Sequence, residues 1–164
     1  MMIRKILLPT DFMEGASGAA EYASDLAKRY GATIYVLHVV YDVANAVGWY
    51  LPQLSYDEFY KDIEENALKE LEQVYEKQLN GVESVYRYIA RGNPADEILN
   101  YASTNGIDLI VMGTHGRKGF DRLIFGSTAE KVVRNAKCPV LTTRINELST
   151  VMVHNELAQT PHTV

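Results

Sequence analysis

The chain has 164 residues, with 16 Lys+Arg against 21 Asp+Glu and a formal net charge of −5. At 47% hydrophobic and 23% charged residues it reads as one globular domain with a real core, not a disordered or fibrous chain. No apolar run approaches the roughly 20 residues of a membrane helix, no signal-peptide layout precedes the first strand, and a single cysteine, Cys138, forbids an intramolecular disulfide. A cytoplasmic protein is expected.

The first strand is expected over Ile3–Leu8, ending at Pro9-Thr10-Asp11. A helix follows over Ser17–Tyr30, with Ala20, Ala23, Leu26, Ala27 and Tyr30 on one face and Gly31 as its stop. Thr33–Val40 reads as the second strand, carrying His38, which reads as a core histidine. Tyr41 to Leu54 is a long apolar connection around Trp49, suited to a lid, a contact surface or a loop folded on its own domain. A long helix is expected over Ser55–Leu79, opened by a Ser55/Glu58 capping box and ended by Gly81.

Ser84–Ala90 is the third strand. Gly92-Asn93-Pro94 then starts a helix with Asn93 as N-cap and Pro94 at its first position, ending near Gly106. Leu109–Met112 is the fourth strand, Ser127–Asn135 the fourth helix and Val140–Thr143 the fifth strand. Strands alternating with helices of this length imply a parallel sheet with right-handed crossovers. A domain over 1–146 is expected, followed by a polar tail over 147–164 that stays poorly ordered unless a partner holds it. His154 and His162 are too isolated there to argue for a metal.

The most specific pattern lies between the fourth strand and the fourth helix. Gly113-Thr114-His115-Gly116 is followed by nine residues and then Gly126-Ser127. A strand, a glycine-bearing loop and a helix start make an anion site: the glycines allow close backbone approach, and the helix offers free N–H groups at its positive end. Ser127 and Thr128 add hydroxyls. From Gly113 to Arg144 there are seven basic residues and two acids, leaving nine basic and nineteen acidic elsewhere. A basic segment in an acidic chain suits a local anionic ligand better than nucleic acid.

If the strand order is 3-2-1-4-5, the ends of strands one and four flank the point where the order reverses, where doubly wound sheets bind ligands. Asp11 then suits either ribose hydroxyls and an adenine amine, or a turn before the first helix; Thr10 carries the same two readings. His115 suits phosphate contact, acid chemistry or a plain loop position. No G-x-x-x-x-G-K-[ST] loop and no G-x-G-x-x-G after strand one is present, which disfavours a Walker-type ATPase and a standard dinucleotide fold. Cys138 reads as packed, with no partner base in view.

The chain resembles the universal stress protein family, specifically its ATP-binding branch. The resemblance spans about Ile3 to Arg144. It rests on Ile6-Leu7-Leu8-Pro9-Thr10-Asp11-Phe12, Leu37-His38-Val39, Gly92-Asn93-Pro94, the run Asp108 to Gly116, Gly126-Ser127 and Cys138-Pro139-Val140-Leu141. The spacing G-x2-G-x9-G-[ST] marks the ATP-binding members. The resemblance implies a three-layer α/β fold, with an open parallel sheet of order 3-2-1-4-5 of the adenine nucleotide α-hydrolase-like kind. It also implies a homodimer paired through Val140, Leu141, Thr142 and Thr143. ATP is the implied ligand, with Mg²⁺ or Mn²⁺ on its phosphates. Thr10, Asp11 and Val39 would lie on the adenine side, after Pro9. Met112 and Gly113 would lie near the ribose. Gly116, Gly126, Ser127, Thr128 and Ala129 would hold phosphates, within a loop that also carries His115, Arg117 and Lys118.

The function expected on this basis is a nucleotide-dependent sensor or switch in stress response, with slow or no hydrolysis, because no residue reads as a dedicated base for water. The alternatives are an adenine-nucleotide hydrolase or transferase with an unknown acceptor, and a dimerisation module without working nucleotide chemistry.

Overall fold

The computed structural model describes residues 2–42, 56–114 and 126–144. Five strands, β1 (Lys5–Thr10), β2 (Thr33–Tyr41), β3 (Val85–Gly92), β4 (Leu109–Gly113) and β5 (Val140–Thr143), alternate with four helices. These are α1 (Glu14–Tyr30), α2 (Tyr56–Gln73), α3 (Pro94–Asn105) and α4 (Ser127–Asn135). Every strand pair is parallel and the order is β3-β2-β1-β4-β5, as expected from the sequence. The Trp49 connection, the Ser55/Glu58 pair, His115 to Lys118 and the tail after Arg144 lie outside what the described residues address.

The core follows from alternation along the central strands. Ile6 and Leu8 of β1 face α1, where Ala19, Ala20, Ala23 and Ala27 present a small-residue face that lets the helix come close to the sheet. Leu7 faces the other way, against Ile98 and Ala102 of α3 and Val132 of α4. Each of Ile6, Leu7 and Leu8 is fully buried, as a central parallel strand covered on both faces requires. On the α3 side of β2 and β3, Tyr35 and Tyr86 stack at 5.7 Å, and Tyr88 and Tyr101 meet with tilted rings at 5.3 Å.

Several element ends obey the local signals. Gly31 and Gly106 sit at φ 63° and 61° and return their N–H groups to Ala27 and Ala102. The Asn93 side chain accepts from the Ala95 and Asp96 N–H groups at 3.1 and 3.4 Å, with Pro94 next to it. Two helix ends differ from the expected ones by three residues or more. Helix α1 begins at Glu14 instead of Ser17: the Met13 carbonyl already accepts from Ala16 and Ser17 at 3.1 and 3.3 Å, although Met13 has no capping side chain. Helix α2 ends at Gln73 instead of Leu79, because Tyr75 takes φ 62° and turns the chain out of the helix. Pro9 lies inside β1, not after it. It is tolerated where β1 has already parted from β4: they pair only at Ile6–Leu109 and Leu7–Ile110, whereas β1 and β2 stay paired through Thr10–His38. That parting opens a crevice at the carboxyl ends of the strands.

Candidate functional site

A cavity of about 330 Å³ fills the crevice. Ten of the fourteen residues expected at a ligand site meet around it. Pro9, Thr10 and Asp11 come from the end of β1 and Val39 from β2. Met112 and Gly113 come from β4, and Gly126, Ser127, Thr128 and Ala129 from the start of α4. His115, Gly116, Arg117 and Lys118 lie outside the described residues. The sequence reading missed Ala16, Leu37, Pro94, Ile98 and Thr114 as lining residues, and it gave His38 to the core although the residue is half-buried and borders the cavity. Only topology brings these together; Leu37, His38, Pro94 and Thr114 carried a local signal, through the Leu37-His38-Val39, Gly92-Asn93-Pro94 and Gly113-Thr114-His115-Gly116 runs, whereas Ala16 and Ile98 carried none as lining residues.

The start of α4 is open. Its N-cap is Gly126, which has no side chain to offer. The first intrahelical bond runs from Glu130 N–H to the Gly126 carbonyl at 3.0 Å, so the N–H groups of Ser127, Thr128 and Ala129 have no acceptor within the helix. Gly126 has an ordinary φ of −59°; what it supplies is room. Its N–H donates to the Thr114 carbonyl at 2.9 Å, and a Cβ there would stand 3.1 Å from that oxygen. Thr114 is itself tied to β5, its N–H and its hydroxyl both donating to the Thr143 carbonyl at 3.0 and 3.2 Å. Gly113 is needed for a different reason: a Cβ there would lie 2.5 Å from the Gly15 carbonyl, so β4 and the first turn of α1 touch backbone to backbone.

Among the described residues, none of the basic side chains counted in the sequence lines the cavity. Lys131 pairs with Asp96 and Arg134 with Glu130, both at 2.6 Å. Among the described residues, Asp11 is the one formally charged side chain in the lining. Among the described residues, what suits an anion at this cavity is the α4 N–H groups and dipole, not Lys131 or Arg134.

The strand side of the cavity is held by a closed set of bonds around Thr10. Its hydroxyl lies 2.7 Å from the Tyr75 hydroxyl and accepts the Phe12 N–H at 3.0 Å. Its carbonyl accepts from His38 Nδ1 at 2.9 Å. A carbonyl has no proton to give, so Nδ1 is the protonated nitrogen. Phe12 stacks on the His38 ring at 4.2 Å. Phe12 and Tyr75 both sit at φ 62° and are the described non-glycine residues with positive φ. Each such backbone costs about 1–2 kcal/mol. Burial pushes the Tyr75 hydroxyl up to about 12, against the opposing pull of its bond to Thr10. Asp11 is exposed, and one of its oxygens accepts the Met13 N–H at 3.0 Å. It is thus a turn residue and a cavity residue at once.

Cys138 is half-buried beside the α3–α4 core and borders no part of the cavity; burial raises its thiol above the ordinary value. Among the described residues no group of three His, Cys, Asp or Glu is placed to hold a metal, and no helix is long and apolar enough to cross a membrane.

Residues 2–144 match the family model described as the universal stress protein family. The chain belongs to the universal stress protein family. The family's protein MJ0531 from Methanocaldococcus jannaschii is 38% identical over 147 residues, covering 87% of this chain and 83% of the relative. Among solved structures, the universal stress protein UspA from Lactobacillus plantarum superposes with a TM-score of 0.75 at 28% identity, covering 88% of this chain and 99% of its own. The universal stress protein from Archaeoglobus fulgidus in complex with dAMP shares the fold at a TM-score of 0.58 and 22% identity, over 87% of this chain and 98% of its own. The family's adenine nucleotide α-hydrolase-like fold is the one described above.

Proposed function

We propose that this universal stress protein binds an adenine nucleotide, ATP foremost, in the cavity between β1 and β4, and acts in the cytoplasm as a nucleotide-dependent sensor or switch in stress response. One observation carries the reading: an uncapped helix start and the ends of β1 and β2 line the same cavity. The phosphates would take the Ser127, Thr128 and Ala129 N–H groups, helped by the two hydroxyls and by His115, Gly116, Arg117 and Lys118. The ribose would lie by Met112 and Gly113, and the base by Pro9, Thr10, Asp11 and Val39. A volume of about 330 Å³ is in the range of small-molecule sites. The dAMP complex of the Archaeoglobus fulgidus protein supports the ligand class.

The described donors do not form a metal site by themselves. They suit a cation that arrives with the phosphates, where Mg²⁺ or Mn²⁺ would neutralise phosphate charge beside the Ser127 and Thr128 hydroxyls. Hydrolysis is slow or absent in this reading. Among the described residues, the two titratable lining side chains, Asp11 and His38, belong to the ends of β1 and β2 and not to the helix start proposed to hold the phosphates. Mass spectrometry of small molecules released from the purified protein tests the reading. Unhydrolysed ATP is the expected result; steady release of product with a defined acceptor would make the protein a hydrolase or transferase instead.

Two copies would pair along β5. Among the described strands it is an edge strand bonded only to β4, and a symmetric partner would satisfy its outer N–H and C=O groups. Leu141→Pro removes one donor from that edge. Sedimentation should show a weakened dimer with ATP binding kept; an unchanged dimer would move the interface elsewhere.

A further inference from the structure

The nucleotide reading leaves the buried Tyr75 hydroxyl without a role. Tyr75 stands just beyond α2, is 7% exposed and does not border the cavity. Its hydroxyl nevertheless reaches the end of β1, 65 residues away in sequence, at 2.7 Å from the Thr10 hydroxyl. We propose that Tyr75 is a positioning residue of the nucleotide site: through the Thr10 hydroxyl it fixes the turn that presents Asp11 to the base. The assignment rests on the nucleotide reading above.

Three observations carry it. First, Phe12 and Tyr75, the described non-glycine residues in the left-handed region, bind the same oxygen, Thr10 Oγ1. Unfavourable backbone persists where the surroundings over-determine it, and such residues cluster at ligand sites. Second, Asp11 lies between the two residues thus held. Thr10 is fixed by its hydroxyl and carbonyl, and Phe12 by its N–H and by stacking on His38. The Asp11 backbone is set from both sides, and one carboxylate oxygen is committed to Met13 N–H, which leaves the other for a ligand. Third, packing alone does not call for the hydroxyl pair. A phenylalanine would fill the apolar cluster of Ile6, Leu8 and Leu71 around Tyr75, and a valine has the shape of Thr10. Replacing both partners of a buried bond by apolar groups of the same shape is nearly neutral for stability. What the pair supplies is geometry.

The test is calorimetric titration of the full chain with ATP and with GTP. Tyr75→Phe removes the hydroxyl and keeps the ring. ATP affinity should fall about five- to tenfold, the effect of one hydrogen bond in the site. GTP, held through its phosphates, should change less than twofold, so the ATP-to-GTP ratio should fall. A merely structural bond would lower the melting temperature and leave that ratio alone. Thr10→Val breaks the same bond from the other side together with the Phe12 N–H bond and should lower the ratio at least as far, whereas Thr10→Ser keeps the hydroxyl and should restore it. The double variant Tyr75→Phe/Thr10→Val should bind ATP no worse than the weaker single variant. Wild-type binding of ATP with an unchanged ratio in Tyr75→Phe and Thr10→Val overturns the assignment and spares the nucleotide reading. No binding of ATP by the wild-type protein overturns both.

Discussion

Two helices begin at the same cavity, α3 through Pro94 and α4 through Ser127, and they treat their first turns in opposite ways. Helix α3 closes its own: the Asn93 side chain takes the Ala95 and Asp96 N–H groups. Helix α4 starts from Gly126 and leaves its own open. Equal placement at the carboxyl ends of the strands therefore does not make equal sites. The residue at the cap decides whether a helix start is finished by the protein or waits for an acceptor from outside.

Four measurements break or sharpen that contrast. The largest effect is expected from Gly126→Val. Its Cβ would press on the Thr114 carbonyl at 3.1 Å, at the residue that leads into the open N–H groups. Losing two charge-assisted hydrogen bonds should weaken ATP binding at least about 100-fold by calorimetry, with the circular dichroism spectrum kept; wild-type affinity would erase the special status of α4. Removing the phosphates from the ligand should act in the same direction. Adenosine should bind about 10–100-fold more weakly than ATP, and equal affinities would mean that the α4 start is not used.

Asn93→Ala probes the other helix. It should lower unfolding free energy by about 1 kcal/mol in urea titrations and leave ATP affinity within twofold; a tenfold loss of affinity would show that the α3 start also serves the ligand. The smallest effect concerns the strand wall. Tyr75 keeps its proton to about 12 in the fold, against 10.0 for a free tyrosine. Between these values the unfolded chain binds fewer protons than the native one, so stability should fall as pH rises from 10 towards 12 and be fully present below 10. Tyr101, raised by burial and by Tyr88, adds to the same slope. Tyr75→Phe should make the slope shallower without abolishing it, as read by urea midpoints across this range.

Features written in a few neighbouring residues were legible in the sequence. Gly31, Gly106 and Asn93 cap where their chemistry says they should, and the alternation of apolar runs with helical spacing gave the sheet. Features that depend on distant residues were not. The repeat of apolar positions carries the long helix on to Leu79, but Tyr75 leaves it at φ 62° with its hydroxyl bonded to Thr10 from across the fold. Ala16 carries no signature of a lining residue, because a crossing chain puts it there. Gly113 was legible as a glycine that something must approach closely; that the approaching group is the Gly15 backbone was not. The seven basic residues from Gly113 to Arg144 suggested a local anionic ligand, yet Lys131 and Arg134 are paired with Asp96 of α3 and Glu130 of α4.

The central place of β1 has a consequence for synthesis. Its Arg4 and Lys5 N–H groups are held by the Asp108 carboxylate, 104 and 103 residues downstream, and its β4 side stays open until that part of the chain exists. At roughly 5–20 residues per second, the ribosome leaves this edge waiting for about 5–20 s. Through that interval the nascent chain carries Ile6-Leu7-Leu8, fully buried once folded, beside an unsatisfied strand edge. Arg4 and Lys5 stand immediately before it. Their charges act as gatekeepers, disfavouring pairing with a neighbouring nascent chain before the protein's own fourth strand arrives.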